Sequence, residues 1–261
     1  LIDPIGEEKT AIVTCTDEPH SLGVQDYLFL TIKSPALLPS LKAMKPLIGK
    51  DTTIITCMNG IPHWYFHKLD NKYANYKIKC LDPNLLIDTI LPPDNIVGSV
   101  VYPACEIVKP GTIKHIAGNR FSLGEPEGSE SDRLKFISDI LKRAGFRAPI
   151  QKNIRDEIWL KLIGNLSFNP ISALTGATLE QICNDQGTEA IVRAMMTEAK
   201  LIAEELGAKI NMSIEKRIEG ARKVGAHKTS MLQDIEAGKP IEIDSIITVS
   251  YTHLTLPTSF L

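Results

Sequence analysis

The 261-residue sequence predicts a doubly wound α/β sheet followed by an all-α C-terminal domain, on three observations. Up to about residue 125, short apolar segments alternate with helical patterns, as strands buried under helices do. Beyond Phe146 to Pro149 the strand-like segments stop and the periodicity is helical. The third observation is the stretch NIRDEIWLKLIGNLSFNP, Asn153 to Pro170. Its Ile158, Trp159, Leu162, Ile163, Leu166 and Phe168 make it apolar nearly all round, which places it inside a domain rather than on a surface.

Taken in order, the chain opens with LIDPIG, a strand and turn, without a Met. TAIVTC (Thr10 to Cys15) reads as a strand and YLFLTIK (Tyr27 to Lys33) as a second that is apolar on both faces. A helical pattern from Pro35 to Leu47 leads to a third strand, TTIITCM (Thr52 to Met58), ended by Asn59-Gly60. NIVGSVVYPAC (Asn95 to Cys105) is another strand. Pro110-Gly111 turns the chain back through TIKHIA, and RFSLGE adds a strand that gives the sheet an antiparallel end. Ser129 or Ser131 caps the helix DRLKFISDILKRAG, which Gly145 stops. These boundaries give residues 1–148 as the sheet domain and 149–248 as the helical one, with helices over Gly187 to Ala208, SIEKRIEGARKVG and TSMLQDIEAG. No internal repeat appears.

Composition excludes several function classes. The net charge is −2, from 29 basic and 31 acidic residues that are interspersed, so there is no basic stripe for a phosphate backbone and no nucleic-acid partner is expected. No run of 18 apolar residues occurs, so no membrane span is expected. Five scattered cysteines without a CxxC pair suit free thiols in a reducing cytoplasm. His63 and His67 could grip a metal from one helical turn, but no third ligand lies near them in sequence, and no metal is expected.

The candidate site begins in the buried helix. At about 100° per residue, Lys161, Asn165 and Asn169 share one face. A cation with two bifunctional amides beside it suits holding and protonating a carbonyl or hydroxy acid. In doubly wound sheets ligands bind beyond the carboxyl ends of the strands, where Lys33 and Asn59 are expected. Ser230, within SMLQD, starts a short helix, and Glu242 stands between Ile241 and Ile243. Taken singly, these last two read as a cap and a solvated carboxylate.

FLTIK, MNG, EIWLKLIGNLSFNPISAL, SMLQD and EID, in this order and spacing, resemble the ketopantoate reductase (2-dehydropantoate 2-reductase) family from residue 1 to about Ile247. The resemblance implies a Rossmann-like sheet domain, NADPH as cofactor and a small 2-oxo acid, ketopantoate, as substrate. It implies Lys161 as the acid that protonates the ketone oxygen, with Asn165 and Asn169 holding substrate hydroxyl and carboxylate. Ser230 then corresponds to a carboxylate ligand, and Glu242 to the carboxylate near the nicotinamide ribose that also contacts substrate. Lys33 and Asn59 correspond to residues lining the cofactor, Asn59 also nearing the substrate, and Ala104 to a cofactor backbone contact. With the acid in one domain and the cofactor on the other, a cleft that closes over substrate is implied.

Two departures from the family's pattern carry expectations. The strand, GxGxxG turn and helix with which such proteins begin are not among these residues, so the first βαβ is expected to be missing and the fragment by itself to be inactive. After Ile247 the chain gives TVSYTHLTLPTSFL, which resembles translated sequencing-adapter read-through, and residues 249–261 are expected to be non-native. The other readings weighed are a same-fold reductase or dehydrogenase of another branched 2-oxo or hydroxy acid, and a non-catalytic binding protein. Oligomeric state is not legible in the sequence, and a homodimer is left open.

Overall fold

Three of the apolar segments become strands of one sheet. The computed structural model describes residues 1–250, and in it β1 (Tyr27–Leu30), β2 (Thr53–Thr56) and β3 (Ile96–Val101) lie side by side and parallel, with β6 (Phe121–Gly124) antiparallel at the far edge. Every residue of β2 is buried, as expected of a central parallel strand. Between β1 and β2 the chain forms α1 (Ser34–Met44), and α2 (Ile87–Ile90) precedes β3. A separate hairpin, β4 (Ala104–Lys109) with β5 (Thr112–Ala117), turns at Gly111 and stands largely exposed. Across the sheet lies α3 (Asp132–Arg143), capped by the Ser131 hydroxyl, which accepts from the Leu134 amide at 3.2 Å. Its Leu134, Ile137 and Leu141 close a core with Ile55, Val97 and Leu123, each such burial contributing about 1.5–3 kcal/mol.

Two expectations about this region are corrected. Thr10 to Cys15 forms no strand: Ile12 and Val13 lie exposed, and no sheet ladder reaches them. Apolar, β-branched composition makes a strand only where a neighbour takes up its backbone groups, and β1 is the edge of the sheet formed here. Asn95 to Cys105 is not one strand. Tyr102-Pro103 interrupts it, since proline cannot donate to a ladder, and the chain leaves the sheet for the hairpin.

The chain folds as two compact units that are discontinuous in sequence. The sheet, the hairpin and α3 belong to the first, which comprises Leu1–Thr31, Ser40–Met58 and Ile90–Ile154. The second takes Ile32–Pro39 and Asn59–Thr89, the segments that follow β1 and β2, together with the residues from Arg155 onward. Its axis is α4 (Ile154–Thr175), the helix anticipated around Asn153 to Pro170. After it come α5 (Leu179–Asn184), with a Thr178–Gln181 capping box, α6 (Gln186–Glu205), α7 (Ile214–Val224) and α8 (Ser230–Glu236). A π-helical turn, Asp244–Thr248, closes the described chain. Most of the residues expected as a non-native tail, 251–261, lie outside the described residues.

α4 gains its apolar surroundings partly from a segment without regular structure. Trp64, Tyr65 and Phe66 are all buried to within 2%. The Trp159 indole donates to the Tyr65 hydroxyl at 2.8 Å, and the Arg155 guanidinium donates to the backbone carbonyls of Tyr65 and His67. Burial pushes the Tyr65 phenol up to about 12, against smaller lowering effects of the Trp159 bond and the Arg155 charge. Since the folded state resists ionisation that the unfolded chain undergoes near pH 10, this contribution is complete below pH 10 and is lost as pH rises to about 12. Stability is therefore expected to fall by about 2–3 kcal/mol over that window, and Tyr65→Phe to flatten the fall, as urea midpoints against pH would read.

Candidate active site

α4 presents Lys161, Asn165 and Asn169 one turn apart along one face, and all three are buried or half-buried. The Lys161 ammonium donates to Asn59 Oδ1 at 2.7 Å. Asn59 in turn donates through Nδ2 to Glu242 Oε2 at 3.1 Å. The second oxygen of Glu242 accepts from the backbone N–H of Ser34 at 3.2 Å, and the residue is 5% exposed. A cation and a buried anion are thus joined through one amide, each end of which meets the charge it suits: carbonyl to ammonium, NH2 to carboxylate.

Local backbone makes this chain of contacts feasible. Asn59 is followed by Gly60 at φ +83°, where a β-carbon would sit 2.3 Å from the Ser245 carbonyl oxygen. The Ile61 amide donates to that same oxygen at 2.8 Å. Gly60 therefore lets the segment after β2 press against the π-helical turn that follows Glu242.

The other two amides of α4 line a cavity of about 540 Å3 together with Ser230, Arg217, Lys216 and His227. Asn169 is 5% exposed and its Nδ2 has no partner among the described residues. Such an orphan costs about 1–3 kcal/mol, which a ligand acceptor would recover. Ser230 opens α8 but is not its cap. The Thr229 hydroxyl accepts from Leu232 N at 3.3 Å and does that work, leaving the Ser230 hydroxyl at the cavity wall. Lys33 is exposed and forms an ion pair with the buried carboxylate of Asp234. Ala104 belongs to the first unit, where it opens β4, exposed. No cluster of three or more potential metal ligands occurs among the described residues.

Of the residues expected from sequence, the second unit brings Lys161, Asn59 and Glu242 into direct contact and sets Asn165, Asn169 and Ser230 around one cavity. Sequence reasoning missed Asp234 as the partner of Lys33, the Ser34 amide, and Arg217. The available signal for Arg217 was Gly164, a poor helix former in the middle of an apolar helix, which calls for a close approach by something else.

An ammonium joined through one amide to a buried carboxylate is suited to an oxygen that gains negative charge, and a largely parallel α/β sheet is a usual carrier of a nicotinamide. Fold and site together define an oxidoreductase of the Rossmann-like class with a helical C-terminal region. Two family profiles match the chain: "Ketopantoate reductase PanE/ApbA" over residues 2–128 and "Ketopantoate reductase PanE/ApbA C terminal" over residues 153–249. The 2-dehydropantoate 2-reductase of Mesorhizobium japonicum is 47% identical over 243 residues, covering 93% of this chain and 74% of that one. A crystal structure from Ralstonia solanacearum MolK2, described provisionally as a ketopantoate reductase, superposes with a TM-score of 0.87 at 38% identity over 94% of this chain and 75% of its own. D-mandelate dehydrogenase in complex with NADH shares the fold, with a TM-score of 0.69 at 21% identity over 85% of this chain and 69% of its own. The chain belongs to the ketopantoate reductase family.

Proposed function

We propose that this protein reduces 2-dehydropantoate (ketopantoate) to pantoate with NADPH, Lys161 supplying the proton. The observation that carries the reading is the contact of the Lys161 ammonium with Asn59, itself tied to Glu242. As the ketone is reduced, negative charge builds on its oxygen. An ammonium within hydrogen-bond reach stabilises that charge and then transfers a proton to the oxygen. Asn59 fixes the direction of the ammonium, and Glu242 fixes Asn59. Asn165, Asn169 and Ser230 provide donors and acceptors for the hydroxyl and carboxylate of the substrate.

The donor set suits a nicotinamide nucleotide. Glu242 uses two of its roughly four lone-pair sites on Asn59 and Ser34, which leaves acceptor capacity for a ribose hydroxyl. Lys33 keeps further N–H donors beyond the one engaged by Asp234. We assign Lys33, Asn59, Ala104 and Glu242 to the cofactor, whose chemical contribution is the hydride. None of the five cysteines forms a disulfide among the described residues, which supports a reducing, cytoplasmic setting.

Loss of reduced-nicotinamide absorbance on adding ketopantoate to the full-length enzyme tests the reading, with NADPH and NADH compared side by side. Saturable oxidation of NADPH in preference to NADH is expected. Turnover of other branched 2-oxo acids with none of ketopantoate would replace the substrate, and preference for NADH would replace the cofactor.

A further inference from the structure

We infer that Asp234 is a positioning residue for cofactor binding: its buried carboxylate holds the Lys33 ammonium where that lysine meets the nicotinamide nucleotide. The role of Lys33 rests on the functional reading above, whereas the hold on Lys33 rests on geometry alone. The side chain of Asp234 is 9% exposed and that of Lys33 is 46% exposed, so the pair has a dry anionic end and a wet cationic one. A carboxylate withdrawn from water needs a cation or several donors to offset its lost hydration. Among the described residues the Lys33 ammonium is the one hydrogen-bond donor to that carboxylate.

A second carboxylate grips the adjoining residue. Glu242 accepts from the backbone N–H of Ser34 at 3.2 Å, while Asp234 takes the side chain of Lys33. The other oxygen of Glu242 holds Asn59, and all of these residues belong to the second unit. The Lys239 amide donates to the Asp234 carbonyl at 2.8 Å, which fastens the end of α8 and sets the course of the chain on to Glu242. Two consecutive residues are thus fixed by two carboxylates, one through its side chain and one through its backbone. Lysine carries its ammonium on a flexible stem, and ordering that stem before a ligand arrives removes a cost that binding would otherwise bear. Stability alone is a poor account of the pair, since a buried carboxylate paired with a cation gains little over apolar groups of the same volume. Charge alone predicts the wrong sign for a ligand site: deleting Asp234 raises the positive charge around Lys33 and would tighten an anionic nucleotide. Positioning predicts that the same deletion weakens it.

The test titrates NADPH and NADH into the full-length enzyme as wild type, Asp234→Asn, Asp234→Ala, Lys33→Met and the double variant Lys33→Met with Asp234→Ala. Asp234→Ala and Lys33→Met are each expected to weaken the tighter nucleotide by about 10- to 100-fold, the range for a hydrogen bond to a charged group. The double variant should bind no more weakly than Lys33→Met, because a residue that acts through Lys33 has nothing left to position. Asp234→Asn keeps the shape and an acceptor without the charge, and should lose less than the alanine variant. Melting temperatures on the same samples guard against misfolding: Lys33→Met strands a buried carboxylate, so the double variant should melt above it. An Asp234→Ala enzyme that binds the nucleotide as well as wild type, or more tightly, overturns the positioning role. Losses that simply add in the double variant overturn it too, whatever the melting temperatures. The functional reading fails separately. A wild type that reduces ketopantoate while Lys33→Met leaves nucleotide affinity unchanged removes only Lys33 and Asp234 from the cofactor site, whereas a wild type that binds neither nucleotide brings down the reductase reading and the positioning role together.

Discussion

If Lys161 is the proton donor proposed above, Lys161→Ala is expected to lower kcat for ketopantoate by about 10²- to 10⁴-fold, the usual contribution of a positioned general acid, with a much smaller change in NADPH affinity. The expectation follows from what alanine removes and what it leaves. The ammonium is taken away from the developing oxyanion, while Asn59 and Glu242 keep each other and the Ser34 amide. Lys161→Arg should not rescue. Its guanidinium is broader than an ammonium and effectively never gives up its proton, so it can stabilise charge but not complete the transfer. Single-turnover rates of prebound enzyme, cofactor and acid read the chemical step directly. A Lys161→Ala enzyme within tenfold of wild type would remove the lysine from the reaction.

Gly60→Ala is expected to damage stability and turnover together. A side chain at φ +83° costs about 1–3 kcal/mol in strain, and the added carbon meets backbone atoms of Ser245 at 2.3 and 2.6 Å, which cannot swing away. Relief requires the segment carrying Asn59 to part from the turn that follows Glu242. The amide bridge between ammonium and carboxylate then opens. Gly145→Ala is the matching control, with φ +92° but nothing within 4 Å of its new carbon. Urea midpoints should place the Gly60 variant clearly below the Gly145 variant, and kcat should fall only in the former. Equal losses in the two would mean that the approach to Ser245 is not what matters.

How much of this was legible in sequence depends on the range of the interaction. α4 could be read because its signal is local: apolar on every side, with three polar groups recurring every four residues. β2 and β3 were legible for a similar reason, since strands buried on both faces are apolar throughout. Thr10 to Cys15 has the same composition but no partner, and pairing is not written into a strand's own residues. The segment from Asn59 to Thr89 gave little signal, although it supplies Trp64, Tyr65 and Phe66 to the core. Its residues are ordered by aromatic packing and by hydrogen bonds to α4 rather than by any periodicity. Arg217 lies on a helix that reads as a solvated, charged one, and only tertiary packing reveals that part of its length faces a cavity.

The bond between Trp159 and Tyr65 has one more consequence. The chain contains two tryptophans, Trp64 and Trp159, and both belong to the unit that carries Lys161 and Glu242. Ultraviolet emission excited at the indole band therefore comes from that unit alone, and the sheet is dark at the same wavelength. Nature has placed a spectroscopic label on one half of the molecule, so emission and circular dichroism recorded in parallel can time the loss of the site separately from the loss of the sheet.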